Sequence, residues 1–453
     1  MKNVLFCLLL VLTRSIFAQE LTSNQQRDIV FRAVNVVPMD ADRVLENQTV
    51  VVRDGRITAM GREGSVRYGK DALVVDAKGK YLLPGWAEMH AHVPPIDDLG
   101  PMKDVLMLYL TNGITTIRGM LGHARHLELR SKLRSGEILG PHFYTTGPSF
   151  NGQTVKTPER GAQMVREQKA AGYDYLKLHP GLTNETFPAI ARTAQEVGIP
   201  FVGHVSFNVG VWRAIDARYS SIDHLDGFVE AITPGSDTLA EPETGLFGAW
   251  IAHRADPARI PKLVNALREK QIWVVPTQAL AERWLSPQPA DAFTNAPEMK
   301  YMTAQEVKNW VSAKENYARN PNFSPEHAEK LVQIRRKLIA ECQRGGVGLL
   351  LGSDAPQVFN VPGFSIHHEL AYLVAAGLTP YEALRTGTVN VAAYLHQPDA
   401  GTVKVGNVSD LVLLGGNPLR DIAQTQRIEG VMMGTNWLPK DYLTKELKRL
   451  EKQ

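Results

Sequence analysis

Between residues 81 and 397 short apolar runs alternate with helix-like stretches, and this alternation constrains the fold more than any other feature of the chain. The runs are "YLLPGWAEMHAH", "ITTIRGM", "HFYTTGP", "YDYLKLHP", "PFVGHVSF", "SIDHLDGF", "IWVVPTQ" and "VGLLLGSDAP". Between most of them lie stretches such as "TPERGAQMVREQKAAG" and "TNETFPAIARTAQEVG". The second opens on an Asn/Thr cap signal and ends at a glycine, as helices do. Eight strand–helix repeats over about 250 residues or more predict an α/β fold, a (β/α)8 TIM barrel. The pattern is weakest over 228–258, where no clear period appears. An insertion over 279–325 carries Trp284, Trp310 and Tyr317 among polar residues. Local packing explains those aromatics; a substrate lid is the functional alternative.

Both ends of the chain read differently. Residues 28–80 hold short β-branched runs cut by Gly and Asp turns, and Asp54-Gly55 between alternating runs is a hairpin signal. Strand-and-turn texture returns in "GTVKVGNVSDLVLLGGNP" and "IEGVMMGTNWLP". With 453 residues the chain exceeds what one core usually supports. The expected layout is a signal peptide over 1–18, a small β-sandwich domain assembled from 19–80 and 398–453, and a barrel over 81–397. "MKN", the apolar "VLFCLLLVL" and Ala18 form the secretory signal, which is too short to span a bilayer comfortably. No other segment is long and apolar enough to cross a membrane. Export follows, to the periplasm if the host is Gram-negative, with no membrane association after cleavage. Cleavage removes Cys7 and leaves Cys342 alone, so neither an internal disulfide nor a cysteine metal cluster is expected. The net charge of +3 comes from scattered Lys and Arg, without the clustered basic patch that nucleic-acid binding needs. A homo-oligomer with two-fold symmetry is the default expectation for assembly.

In such a barrel the chemistry sits at the C-terminal ends of the strands. The first run closes on His90 and His92, the fourth carries Lys177, the fifth His204, the sixth His224 and the eighth Asp354. Each residue has a plain structural reading: a core histidine, a solvated lysine, a helix-capping aspartate. Together they read otherwise. A buried strand rarely ends in an unpaired ionisable group, because burying a charge is costly unless it is paired or metal-bound. His90, His92 and Asp354 would hold a first cation, and His204 and His224 a second. Lys177 as an ammonium would repel both; as a carbamate it would bridge them. Two cations about 3.5–4 Å apart that share a hydroxide give a nucleophile at neutral pH and polarise a carbonyl or phosphoryl oxygen. Asp354 can also take the hydroxide's proton and pass it to the leaving group, a general acid/base. Imidazole and carboxylate ligands without thiolate suit zinc first.

These residues sit in motifs that resemble the amidohydrolase superfamily over nearly the whole mature chain. "PGWAEMHAH" looks like its PG-x-x-D-x-H-x-H motif, with Glu88 where Asp is common. "YLKLHP" resembles the carboxylated-lysine strand, "GHV" and "DHLDG" the second-metal histidines, and "GSDAP" the strand-eight aspartate. "HHELAYLVAAGLTPYEALRTGTVNVAAYL" followed by "GTVKVGNVSDLVLLGGNPLRDI" resembles the imidazolonepropionase-related and prolidase-like subgroup. The resemblance implies a binuclear, metal-dependent hydrolase of carbon–nitrogen bonds in a small-molecule substrate, with N6-carboxylysine at Lys177. Dipeptidase or carboxypeptidase chemistry is the expected activity. Cyclic amides, lactones or phosphotriesters are the alternative for the same metal centre. A non-catalytic binding protein on a degenerate barrel is the alternative of another class. Arg118, Tyr144 and His179 are candidate substrate contacts, each with a structural reading beside it, such as an ion pair or a buried hydroxyl.

Overall fold

The computed structural model describes residues 27–452. The expected signal peptide, with Cys7, lies outside the described residues. The chain divides into two compact units, one running to Gly85 and resuming over His396–Thr444, the other spanning Trp86–Leu395 and the last residues from Lys445.

Among the described residues, five strands precede Gly85: β1 Ile29–Val36, β2 Leu45–Arg53, β3 Arg56–Arg62, β4 Leu73–Asp76 and β5 Tyr81–Pro84. Seven follow: β6 Trp86–Ala91, β7 Ile114–Gly119, β8 His142–Thr145, β9 Leu176–Leu178, β10 Phe201–Gly203, β11 Ser221–Asp223 and β12 Trp273–Val275. Three come last: β13 Leu411–Leu414, β14 Ile428–Met433 and β15 Asn436–Pro439.

The first unit is a β domain. In place of two separate sheets, its strands form one hydrogen-bonded path, β15-β14-β13-β5-β1-β2-β3, with β4 on β1. The path forks at β1. Ile29 to Arg32 pair with Leu73 to Asp76, and Asn35 and Val36 then pair with Tyr81 and Leu82. Phe31, Val50, Ile57, Leu82, Leu413 and Met432, from six of the strands, share one buried core. The hairpin forms where expected: Asp54 (φ 49°) and Gly55 (φ 73°) are both left-handed between β2 and β3. That turn matches the right-handed twist of the strands it joins.

The second unit alternates strand and helix. Its strands are parallel, in the orders β6-β7-β8 and β9-β10-β11-β12. Parallel bridges Thr146–Tyr175 and Phe150–Leu178 run from the segment after β8 to β9 and its neighbours. Every residue of β9, β10 and β11 is buried. Strands covered on both faces show no polar–apolar alternation, so Lys177 in β9 and Ser221 and Asp223 in β11 are polar residues held inside buried strands. The helices between them follow local rules. Pro158–Ala171 starts at the Thr157 cap and stops at Gly172 (φ 88°), and Thr186–Val197 stops at Gly198 (φ 67°).

Two expectations change here. The eighth run forms parallel bridges at Leu349 to Val274 and at Ala355 to Ala91, but no continuous strand. The Leu351 N–H is taken by the Thr386 carbonyl at 3.0 Å instead of by a neighbouring strand. Residues from Lys445 onward, expected with the β domain, belong to the second unit. There Arg449 pairs with Asp104 at 2.8 Å and Glu451 with Lys300 at 2.7 Å. The insertion is largely helical, with Gln278–Trp284, Asp291–Thr294 and Ala304–Ala318 ahead of the long helix Pro325–Arg344. Its aromatics are packed: Tyr317 stacks on Trp250 at 5.1 Å, and Trp310 meets Phe359 edge-on at 6.1 Å.

Candidate metal centre

The C-terminal ends of the strands bring the predicted residues to one place. His90, near the end of β6, is 1 % exposed, and His224, just past β11, is fully buried. With Asp354 they offer ligand atoms that all lie within 4.8 Å of one another. His92 Nε2 is 2.7 Å from Asp354 Oδ1, and His90 Nε2 is 3.5 Å from the same oxygen. Lys177 Nζ lies 3.3 Å from His90 Nε2. His204 stacks on His224 with ring centroids 4.2 Å apart, and His179 stacks on His204 at 5.2 Å. His224 groups with His90 and Asp354, while the His204 ring directs Nδ1 toward Asp226.

Each central histidine is held by one nitrogen and presents the other. Nδ1 of His90 meets Asp223 Oδ2 at 2.7 Å, and Nδ1 of His204 meets Asp226 Oδ2 at 2.7 Å. Nδ1 of His224 meets Thr277 Oγ1 at 2.8 Å. With Nδ1–H donating, each Nε2 keeps its lone pair, the arrangement that metal-ligating histidines usually adopt. His224 Nε2 is buried without a protein partner. Burial, reinforced by the neighbouring Lys177 and by the other histidines, holds His90 and His224 far below the usual histidine range. They are therefore neutral ligands at neutral pH. Burial also lowers the Lys177 ammonium to about 8, against the pull of Asp223 and Asp354. An orphaned imidazole nitrogen, neutral rings and a carboxylate among them make a donor set that fits a divalent transition ion.

Backbone geometry makes room for this cluster. A Cβ on Gly203 (φ 113°) would stand 2.6 Å from the Leu178 carbonyl oxygen and 2.8 Å from Lys177 Cδ. Glycine at 203 is thus what lets the lysine stem run between two strands. A Cβ on Gly352 would stand 2.9 Å from the His90 nitrogen. His224 (φ 64°), Thr277 (φ 45°) and Asp354 (φ 61°) all hold left-handed backbones. Non-glycine residues rarely adopt this conformation, and where they do they cluster at functional sites. Glu88 binds the first run to the eighth. Its carboxylate accepts the Ser353 N–H at 2.8 Å, the Ser353 hydroxyl at 2.5 Å and the His90 N–H at 3.0 Å. Burial pushes that carboxyl up to about 8.

The candidate substrate contacts part company. Arg118 is fully buried. Its Nε donates to the Met89 carbonyl at 2.8 Å, Nη1 to the Tyr394 hydroxyl at 2.9 Å and Nη2 to Asp223 at 3.5 Å. A guanidinium so enclosed braces Asp223 from inside the unit, so its structural reading replaces substrate contact. Tyr144 is half-buried against a cluster that includes Met89, Tyr175 and Val202. His179 is partly open beside His204, with burial and Lys177 lowering it to about 2. Sequence reading missed Asp223, Asp226 and Thr277. The first two bracket His224 in "SIDHLDG", which was the available signal.

Fold and site together define a metal-dependent hydrolase class, and the amidohydrolase family profile matches residues 81–438. The chain belongs to the amidohydrolase family. Imidazolonepropionase of Symbiobacterium thermophilum is 23% identical over 425 residues, covering 82% of this chain and 84% of that protein. The solved structure of a bottromycin amidohydrolase superposes with a TM-score of 0.70 at 23% identity, over 95% of this chain and 92% of that one. A Xaa-Pro dipeptidase with bound methionine gives 0.64 at 17% identity, over 91% and 100%. The two structures show a shared fold. The family is metal-dependent and acts on small molecules.

Proposed function

We propose that this chain is an exported, binuclear, metal-dependent hydrolase of carbon–nitrogen bonds, built on a closed (β/α)8 barrel and acting on dipeptide-like amides. Membership of the family supports amide hydrolysis. The observation that carries the site reading is the set of histidines held at Nδ1 by Asp223, Asp226 and Thr277, with Asp354 among them.

His90, His92, His204, His224 and Asp354 would hold two divalent ions, zinc by ligand type, with Lys177 as an N6-carboxylysine between them. Such ions, when bound, lower the pKa of water and polarise the substrate carbonyl. The protein's own residues do the rest. The Asp354 carboxylate takes the proton of the attacking water and returns it to the leaving nitrogen. Such acid–base work is worth about 10²–10⁴-fold. Asp223 and Asp226 fix the rings of His90 and His204. Glu88 keeps the backbone of Ser353, and so the neighbouring Asp354, in register with His90. Carboxylation of Lys177 would replace a repelling ammonium with an anion.

Plasma mass spectrometry of the purified protein, run beside a dipeptide library that includes Xaa-Pro substrates, tests this reading. Two metals per chain and release of free amino acids are expected. Lys177→Ala should then hold one metal and lose most activity, with partial rescue by a short carboxylic acid; full activity would rule out the bridging carbamate. Two metals without peptide cleavage would move the substrate to cyclic amides, lactones or phosphotriesters. A folded protein with neither metal nor turnover would point to a binding role.

A further inference from the structure

The insertion lines a half-open cavity of about 520 Å³ to which none of the metal-centre residues contributes. That volume lies in the range of small-molecule sites. Pro287, Val311 and Phe323 give it apolar walls, and Ser286, Lys314 and Tyr317 contribute polar groups.

Lys314 is the unusual member. It is 3% exposed. Its Nζ donates to the carbonyls of Trp284 and Ser286, each at 3.1 Å, and stands 5.2 Å from the centre of the Phe293 ring. Among the described residues no carboxylate pairs with it, and burial alone lowers it to about 8. Glu315, also on the lining, answers Arg319 at 2.7 Å. The hydroxyl oxygens of Ser286 and Tyr317 are buried and have no protein partner. Buried polar groups are nearly always bonded, so each exception calls for an occupant. Water could satisfy two hydroxyls. It does not neutralise a buried ammonium; an anion does.

We propose that this cavity binds a small apolar molecule ending in one carboxylate, which meets Lys314 and the hydroxyls of Ser286 and Tyr317. The walls take the apolar body, and the exposed Asp291 and Glu315 on the lining disfavour a second negative charge.

Isothermal titration of the full chain tests it, with 4-phenylbutyrate, octanoate and N-acetylleucine each run against its uncharged amide. At least one acid should saturate at one site per chain, with its amide weaker by about tenfold or more. Lys314→Met should weaken the acid by about tenfold as well. Ser286→Ala and Tyr317→Phe should each weaken it by a smaller factor with the melting temperature unchanged. If Lys314→Met does not fold, the Ser286→Ala/Tyr317→Phe double variant decides. Equal binding of acid and amide, or no saturation by any acid at millimolar concentration, overturns the proposal. So does acid binding that survives these substitutions, because that acid sits elsewhere, at the metal centre for example.

Discussion

Two histidine–aspartate pairs look alike in this molecule and stand in unlike surroundings. His90 meets Asp223 and His204 meets Asp226, both at 2.7 Å and both through Nδ1. The first pair is sealed, with side chains 1% and 0% exposed; the second is partly open, at 17% and 9%. Asp223 also receives Arg118 and the Ser221 hydroxyl, whereas Asp226 receives the Val205 N–H. The same bond therefore does different things. At His90 it is part of the interior, and the ring has one orientation. At His204 it is a latch on a ring that solvent reaches. A ligand set built from both pairs has one fixed side and one adjustable side.

The largest expected effect lies on the fixed side. Asp223→Asn keeps the shape but leaves the buried Arg118 guanidinium short of a counter-charge. Removing one partner of a buried pair typically destabilises by about 3–5 kcal/mol. Urea denaturation should show a loss near the lower end, because burial already pushes the Asp223 carboxyl up and so weakens the charge it contributes. A ring misplaced by about 1 Å can cost 10²-fold in rate, and kcat should fall by about that much. Unchanged stability would mean that Arg118 does not depend on Asp223 and that the two pairs are equivalent.

The next effect concerns the lysine between the two sides. In Gly203→Ala the new Cβ would crowd both the Leu178 carbonyl oxygen and the Lys177 stem, at a φ of 113° that alanine rarely adopts. Overpacking together with backbone strain should cost about 2–3 kcal/mol. Lys177 would be pushed out of line, so metal content measured by plasma mass spectrometry should drop alongside the melting temperature. Normal metal content in a destabilised Gly203→Ala would show that the lysine's placement does not govern loading.

Much of this arrangement was legible because strand ends in a parallel, doubly covered sheet must be apolar unless chemistry intervenes. His90, His92, Lys177, His204, His224 and Asp354 stood out against apolar runs, and the structure brings them together. What could not be read depends on contacts distant in sequence. Asp223 lies 133 residues from His90, and only the fold makes them neighbours. Arg118 kept two readings for a related reason. A strand-end arginine can reach outward to substrate or inward to Tyr394, and alternation does not say which. The eighth run announced itself as apolar, yet its backbone partners include Thr386 at the end of the helix Pro380–Thr386, which no strand pattern foretells. The fork of the β domain at β1 was hidden likewise. A run of eight residues that serves three partners reads like any other strand.

The smallest effect belongs to the open pair, and it is the sharpest test of the comparison. Asp226→Asn removes a carboxylate from a ring that water already reaches, and no buried cation is left stranded. Stability should change by no more than about 1 kcal/mol, as for other partly exposed pairs. Metal binding should respond more than stability does. Loss of a carboxylate that orients a ligating histidine typically weakens metal affinity by about 10–100-fold. For the two metals proposed above, competition with a chromogenic chelator should therefore show one weakened while the other is unmoved. In Asp223→Asn the tighter position should be the one disturbed. If both substitutions weaken the same metal, the two pairs serve one ion, as the close grouping of His90 with His224 and Asp354 allows, and the division into a fixed and an adjustable side fails. If they weaken different metals, by unequal factors and with unequal loss of stability, burial rather than bond length decides what each aspartate contributes.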